Sequence, residues 1–173
     1  MAKQDDETRG IRGMHSCCFT GHRRIPFAEV APLTAQLDTA LADAYAAGCR
    51  AFYAGGAMGF DNLAAERTLL LRETHPDVSL YLLLPCRDQT RGWPREEEER
   101  LRRILSLCNG YRYVGEAYSS TAMYERNMAL VASGELCIAY LRRYASGAGQ
   151  TYRAAARAGL TLLNLADLIP AAE

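Results

Sequence analysis

The sequence predicts an α/β protein: a three-layer, Rossmann-like domain built on a mostly parallel sheet. Three observations carry this expectation. Short apolar runs alternate with segments of helical period from His15 to Leu165. One run, VSLYLLL at 78–84, is apolar almost throughout, as suits a strand covered on both faces. Glycines recur where strand-like runs give way to helical ones, at Gly21, Gly55, Gly56, Gly59 and Gly115.

Taken in order, residues 1–13 are polar and predict a loose tail, and residues 14–173 a single domain. The first strand is read at 15–20 and breaks at Gly21-His22-Arg23-Arg24. Pro26 opens a helix over 27–47, whose Val30, Leu33, Leu37, Leu41 and Tyr45 recur at helical spacing, and Gly48 closes it. Ala51 to Ala54 is the second strand. The GGAMGFD turn follows, then a helix to about Glu73 that His75-Pro76-Asp77 stops. The third strand, 78–84, leads into a loop over 85–94. A charged helix at 95–108 carries its acids early and its arginines late, which suits the helix dipole. A short strand at 111–114, a helix at 121–133 and a strand at 135–140 come next. A second glycine-rich turn is read at 145–151, then a helix at 152–158, a last strand at 160–165 and one further turn. Right-handed crossovers would place five strand-to-helix loops on the carboxyl edge of the sheet, where open α/β sheets bind ligands.

The chain has 173 residues, with 20 basic and 20 acidic side chains, and Lys3 is its one lysine. A net charge of zero with so little lysine argues against nucleic acid as a partner, since phosphate contacts dominate that affinity. No apolar run is long enough to span a bilayer, and no signal peptide is read. The six cysteines, Cys17, Cys18, Cys49, Cys86, Cys108 and Cys137, form no C-x-x-C pair and lie in or beside apolar runs. They predict a reducing cytoplasm and no metal site. The sequence names no certain cofactor and leaves a homo-oligomer open.

The candidate chemistry lies in the loops. Gly55, Gly56 and Gly59 precede a helix whose free N–H groups and dipole suit a phosphate. Gly147, Gly149 and Thr151 offer a second glycine turn with a hydroxyl at a helix start. Neither turn is a Walker loop, because no lysine follows, and neither fits G-x-G-x-x-G. Gly21, His22 and Arg23 can serve an anion. Trp93 can stack on a base or pack on the sheet edge. In Met123-Tyr124-Glu125-Arg126-Asn127-Met128, Arg126 with either Tyr124 or Asn127 is expected in the cleft.

In sequence order, CCFTGHRR, FYAGGAMGFDNLAAE, LPCRDQ, MYERN and SGAGQT resemble the SLOG superfamily, and most of all its YpsA-like branch. The resemblance runs from about Cys17 to Leu165. It implies a modified Rossmann fold that binds nucleotides or nucleotide-derived ligands. The superfamily includes the Lonely Guy phosphoribohydrolases, with an M-H-x-R-K helix and a P-G-G-x-G-T-x-x-E loop, and the DprA proteins. Arg126 matches the arginine of that helix, and Gly147, Gly149 and Thr151 roughly match the loop. Its glutamate has no counterpart, since Arg153, Ala154 and Ala155 follow Thr151.

Two functions are therefore expected. The first is binding of a nucleotide-derived molecule, such as ADP-ribose, an NAD-like molecule or a modified nucleotide, as a sensor. The second is N-glycosidic cleavage or transfer on a nucleoside monophosphate. That chemistry would fall to Asp61, Glu125 and Arg126, by the two-carboxylate logic of glycoside cleavage.

Overall fold

The computed structural model describes residues 14–172, so the expected tail at 1–13 lies outside the described residues. Six strands, β1 (Ser16–Gly21), β2 (Ala51–Ala54), β3 (Ser79–Leu84), β4 (Gly110–Tyr113), β5 (Leu136–Tyr140) and β6 (Thr161–Asn164), form one sheet. Every neighbouring pair in it is parallel. Five helices connect them: α1 (Phe27–Ala47), α2 (Phe60–Thr74), α3 (Arg95–Leu107), α4 (Ser120–Ser133) and α5 (Gly147–Arg157). A 3₁₀ turn, Leu165–Leu168, follows β6.

Side-chain alternation along the strands divides the interior into two cores. Phe19, Phe52, Leu80 and Leu82 join Leu33, Leu37 and Leu41 of α1, Ala64 of α2, and Leu101 and Ile104 of α3. Cys18, Leu83 and Cys137 face the other way, onto Leu130 and Val131 of α4 and Ala154 and Ala155 of α5. Helices thus cover both faces, and the central strands must be apolar on both; β5 is buried at every position. Truncating a fully buried leucine such as Leu37 to alanine would cost about 2–5 kcal/mol.

The boundaries read from the sequence agree within a residue or two except at α5. That helix begins at Gly147 and takes in the glycines assigned above to a loop. Its start is set by Ser146, whose extended backbone and Oγ cap the helix by accepting the Gly149 N–H at 3.0 Å. Val30 departs from the expected core stripe of α1 and is exposed, while Glu29 beside it is buried.

Strand order is β4-β3-β2-β1-β5-β6. The chain steps outward from β1 to β4, then returns to the far side of β1 for β5 and β6. Connections from β1 and β5 therefore diverge to opposite faces, and a crevice opens between their carboxyl ends.

Candidate functional site

A cavity of about 640 Å³ occupies that crevice. The β1–α1 connection lines it with Gly21, His22, Arg23, Arg24 and Pro26. The start of α2 contributes Ala57 and Asp61. Met123, Arg126, Asn127 and Leu130 come from α4, and Arg142, Arg143, Ser146, Gly147, Ala148 and Thr151 from the β5–α5 connection and α5. Five arginines and one carboxylate among these residues make the cavity strongly cationic, although the whole chain is neutral.

The arginines do different work. Arg142 is committed to the protein: it donates to the carbonyls of Ala166 at 2.9 Å, Ile169 at 3.1 Å and Pro170 at 3.0 Å, and to Glu29 at 3.3 Å. Burial raises the Glu29 pKa, but hydrogen bonds from Tyr140, the Ala172 N–H and Arg142 outweigh it and hold the carboxylate low. Arg23, Arg24 and Arg143 are exposed, and among the described residues their guanidiniums form no ion pair. Those three can meet an incoming anion at no cost in existing contacts.

Arg126 lies at the floor and is almost wholly buried. Its Nη1 donates to the Gly55 carbonyl and its Nε to Asn127 Oδ1 at 2.8 Å. Burial lowers its pKa, and the nearby Asp61 carboxylate opposes that. Asp61 is also buried. Burial lifts its pKa from 3.8 to about 6, against the pull of Arg126, the Ala57 N–H and Arg23. A carboxyl so placed changes charge close to neutral pH.

His22 holds the cavity wall together. Its Nε2 accepts the Arg142 N–H at 2.9 Å and the Arg143 N–H at 3.3 Å. A nitrogen that accepts carries no proton, so the imidazole is neutral with its hydrogen on Nδ1. Burial, then the charge of Arg143, lowers its pKa and keeps it so. His22 is thus an anchor for the β5–α5 connection and supplies no cation.

The two glycine stretches differ in what they face, since Gly147 and Ala148 line the cavity and Gly55, Gly56 and Gly59 do not. At the start of α2 the protein uses its own groups: the Phe60 N–H donates to the His22 carbonyl at 3.1 Å, and the Ala57 N–H to Asp61 Oδ2 at 3.4 Å. Gly55 makes room for the floor, because a Cβ there would lie 2.6 Å from Arg126 Nη1 and 2.7 Å from Asp61 Oδ2. Gly59 has φ 77°, and a Cβ on it would meet the Arg23 carbonyl at 2.3 Å. At α5 the third and fourth N–H groups are engaged, both by Ser146. Those of Gly147 and Ala148 have no partner among the described residues and lie in the cavity lining. A helix start with free donors beside three free guanidiniums is suited to phosphate.

Of the residues singled out from the sequence, Gly21, His22, Arg23, Asp61, Arg126, Gly147 and Thr151 are brought together around this cavity. Gly55, Gly56, Gly59 and Gly149 lie outside its lining. Trp93 packs against the α1–α3 core, and Glu125 is exposed away from it. The Thr151 hydroxyl is engaged within α5, with the Gly147 carbonyl at 3.1 Å. Sequence reasoning passed over Arg143, Met123 and Ser146. Only Ser146 carried a local signal, as a serine preceding a helix. Among the described residues no helix is long and apolar enough to cross a membrane, and no three His, Cys, Asp or Glu side chains gather as metal ligands do.

Two solved structures share the fold. DNA processing protein A from Helicobacter pylori, described for its single-stranded DNA binding mode, is 17% identical with a TM-score of 0.60; the match covers 91% of this chain and 67% of that one. DNA processing protein A (DprA) from Streptococcus pneumoniae is 13% identical with a TM-score of 0.61, covering 94% of this chain and 52% of that one. At these identities the likeness is one of fold. It overturns the expectation against nucleic acid, which rested on global charge: the H. pylori neighbour binds single-stranded DNA, and here the cationic groups are gathered in one cavity. A search of curated proteins returns no match. A family model described as "YpsA: YspA SLOG family" matches residues 17–158. With most of its length matched, in a fold that carries its cavity at the β1–β5 crevice, the chain belongs to the YpsA family of SLOG proteins.

Proposed function

We propose that this cavity binds a phosphorylated nucleotide or nucleotide-derived molecule of the ADP-ribose or NAD-like class, and that the protein acts as a sensor of it. One observation carries the reading: the open start of α5 meets the unpaired guanidiniums of Arg23, Arg24 and Arg143 in one cavity. The volume, about 640 Å³, is within the range of small-molecule sites. A phosphate takes the Gly147 and Ala148 N–H groups and the guanidiniums. Asp61 and Asn127, at the floor, offer acceptors to sugar hydroxyls.

Single-stranded nucleic acid is the second reading, favoured by the H. pylori neighbour and by the exposure of these arginines. It presents the same phosphate chemistry. Glycosidic cleavage has less support. Such chemistry calls for two carboxylates, and Asp61 is the one that lines the cavity.

Titration calorimetry tests the proposal with ADP-ribose, NAD, nucleoside monophosphates and a short single-stranded oligonucleotide. Chromatography for free base runs beside it. Binding is expected to weaken about tenfold or more in Arg143→Ala and in Arg23→Ala, from loss of a charge-assisted hydrogen bond. Base released by the wild type and lost in Asp61→Asn would instead establish the enzyme. Absence of binding at millimolar concentration across the panel would end the nucleotide reading.

A further inference from the structure

The cavity is well furnished for phosphate and poorly furnished for a base. Of the rings in its lining, those of Phe19 and Tyr140 are wholly buried, and the smaller imidazole of His22 is half-buried with its Nε2 taken up by the Arg142 and Arg143 N–H groups. A nucleotide held by its phosphate at α5 finds no fully open ring there for its base.

The rim supplies a ring. Pro26 lines the cavity, and the next residue, Phe27, opens α1 with 95% of its surface exposed, more than any other large hydrophobic described. Arg23 and Arg24, both exposed and unpaired, precede it by four and three residues. The nearest acid in the sequence does not spoil this surface. Glu29 is turned inward and its carboxylate is taken up by Tyr140, Arg142 and the Ala172 N–H. A bare aromatic ring on the same connection that carries two free guanidiniums into a cationic cavity is suited to hold a base by its π-face while charge holds the phosphate.

We propose that Phe27 is the stacking platform for the base of a nucleotide whose phosphate occupies the cavity. The proposal rests on the nucleotide reading above and deepens it. Phe27 makes the site selective for nucleotides over plain sugar phosphates. Because the base lies outside the cavity with its edges in water, discrimination among bases is weak. The far side of the base is also unobstructed, so a longer ligand can continue past it.

The test compares AMP with ribose 5-phosphate in the wild type and in Phe27→Ala. An exposed surface residue is replaced, so folding is not at issue. AMP is expected to bind about tenfold more weakly to Phe27→Ala, while ribose 5-phosphate is unchanged. Phe27→Trp keeps AMP affinity, and its fluorescence is quenched as AMP saturates. An oligoadenylate that binds with the same dependence on Phe27 assigns the site to a chain end, and one that fails to bind assigns it to the free nucleotide. Equal AMP affinity in wild type and Phe27→Ala overturns the platform and leaves the phosphate site standing. Failure of both AMP and ribose 5-phosphate to bind the wild type overturns the underlying reading and the platform with it. Sedimentation supplies the last arm: a wild-type dimer that Phe27→Ala converts to monomer would mean that a second copy covers the ring, and would also overturn the proposal.

Discussion

At the scale of residues, the floor of the cavity holds a carboxyl and a guanidinium that are both buried but do not pair directly. Asp61 and Arg126 feel one another's charge, and burial lifts the Asp61 pKa to about 6. The consequence for stability has a definite sign. As pH rises from about 4, the unfolded chain releases this proton first, so the folded state binds more protons and stability falls until the folded carboxyl also ionises near 6. Above that the cost is constant, about 2–3 kcal/mol for a shift of this order. Asp61→Asn is expected to abolish this loss: urea unfolding at pH 4 and pH 7 will show the variant gaining relative to wild type at the higher pH. An equal effect at both pH values would contradict the assignment. Part of this floor was legible from sequence. Asp61 is the one acid of the GGAMGFD turn, and Arg126 stands out by its place in MYERN. Their meeting at one floor was not legible, because it depends on how α4 crosses the sheet to reach Gly55, 71 residues earlier in the chain.

At the scale of elements, α5 decides what the cavity can hold. Ser146 both caps the helix and engages the third and fourth N–H groups, while those of Gly147 and Ala148, in the cavity lining, have no partner among the described residues. Ser146→Ala is expected to cost about 1 kcal/mol of stability, measured by denaturant unfolding, and to weaken nucleotide binding as the first turn frays. Unchanged stability would show that the cap carries no weight. The sequence placed this helix five residues late, because Gly147 and Gly149 disfavour helix and read as loop. Packing overrides that preference. A side chain at Gly149 would press on the Tyr144 carbonyl at 2.0 Å, so the glycine lets the preceding loop fold back over the helix start. The other helices were legible because their apolar residues recur at helical spacing and prolines or glycines mark their ends. The GGAMGFD turn was legible as a turn. Its role was not, since the same glycines serve either to admit a ligand or, as found, to let Arg126, Asp61 and the His22–Arg23 backbone approach.

At the scale of the whole molecule, a neutral chain concentrates positive charge in one place. Net charge is a sum over the surface and is silent about clustering. Several of the other arginines are paired with acids elsewhere: Arg67 with Asp38, Arg100 with Glu66, Arg50 with Asp77. Strand alternation predicted the layered sheet, yet strand order is set by long-range pairing, and it is strand order that places β1 beside β5 and opens the crevice. The central claim is that this crevice holds a phosphate at the start of α5. Amide chemical shifts of the isotopically labelled protein, followed as AMP is added, test it most directly. The account predicts the largest saturable shifts at Gly147 and Ala148, with smaller ones at Arg23 and Arg143 and little change at Gly56 and Gly59. Saturable shifts confined to other parts of the molecule, or none at millimolar AMP, would contradict it.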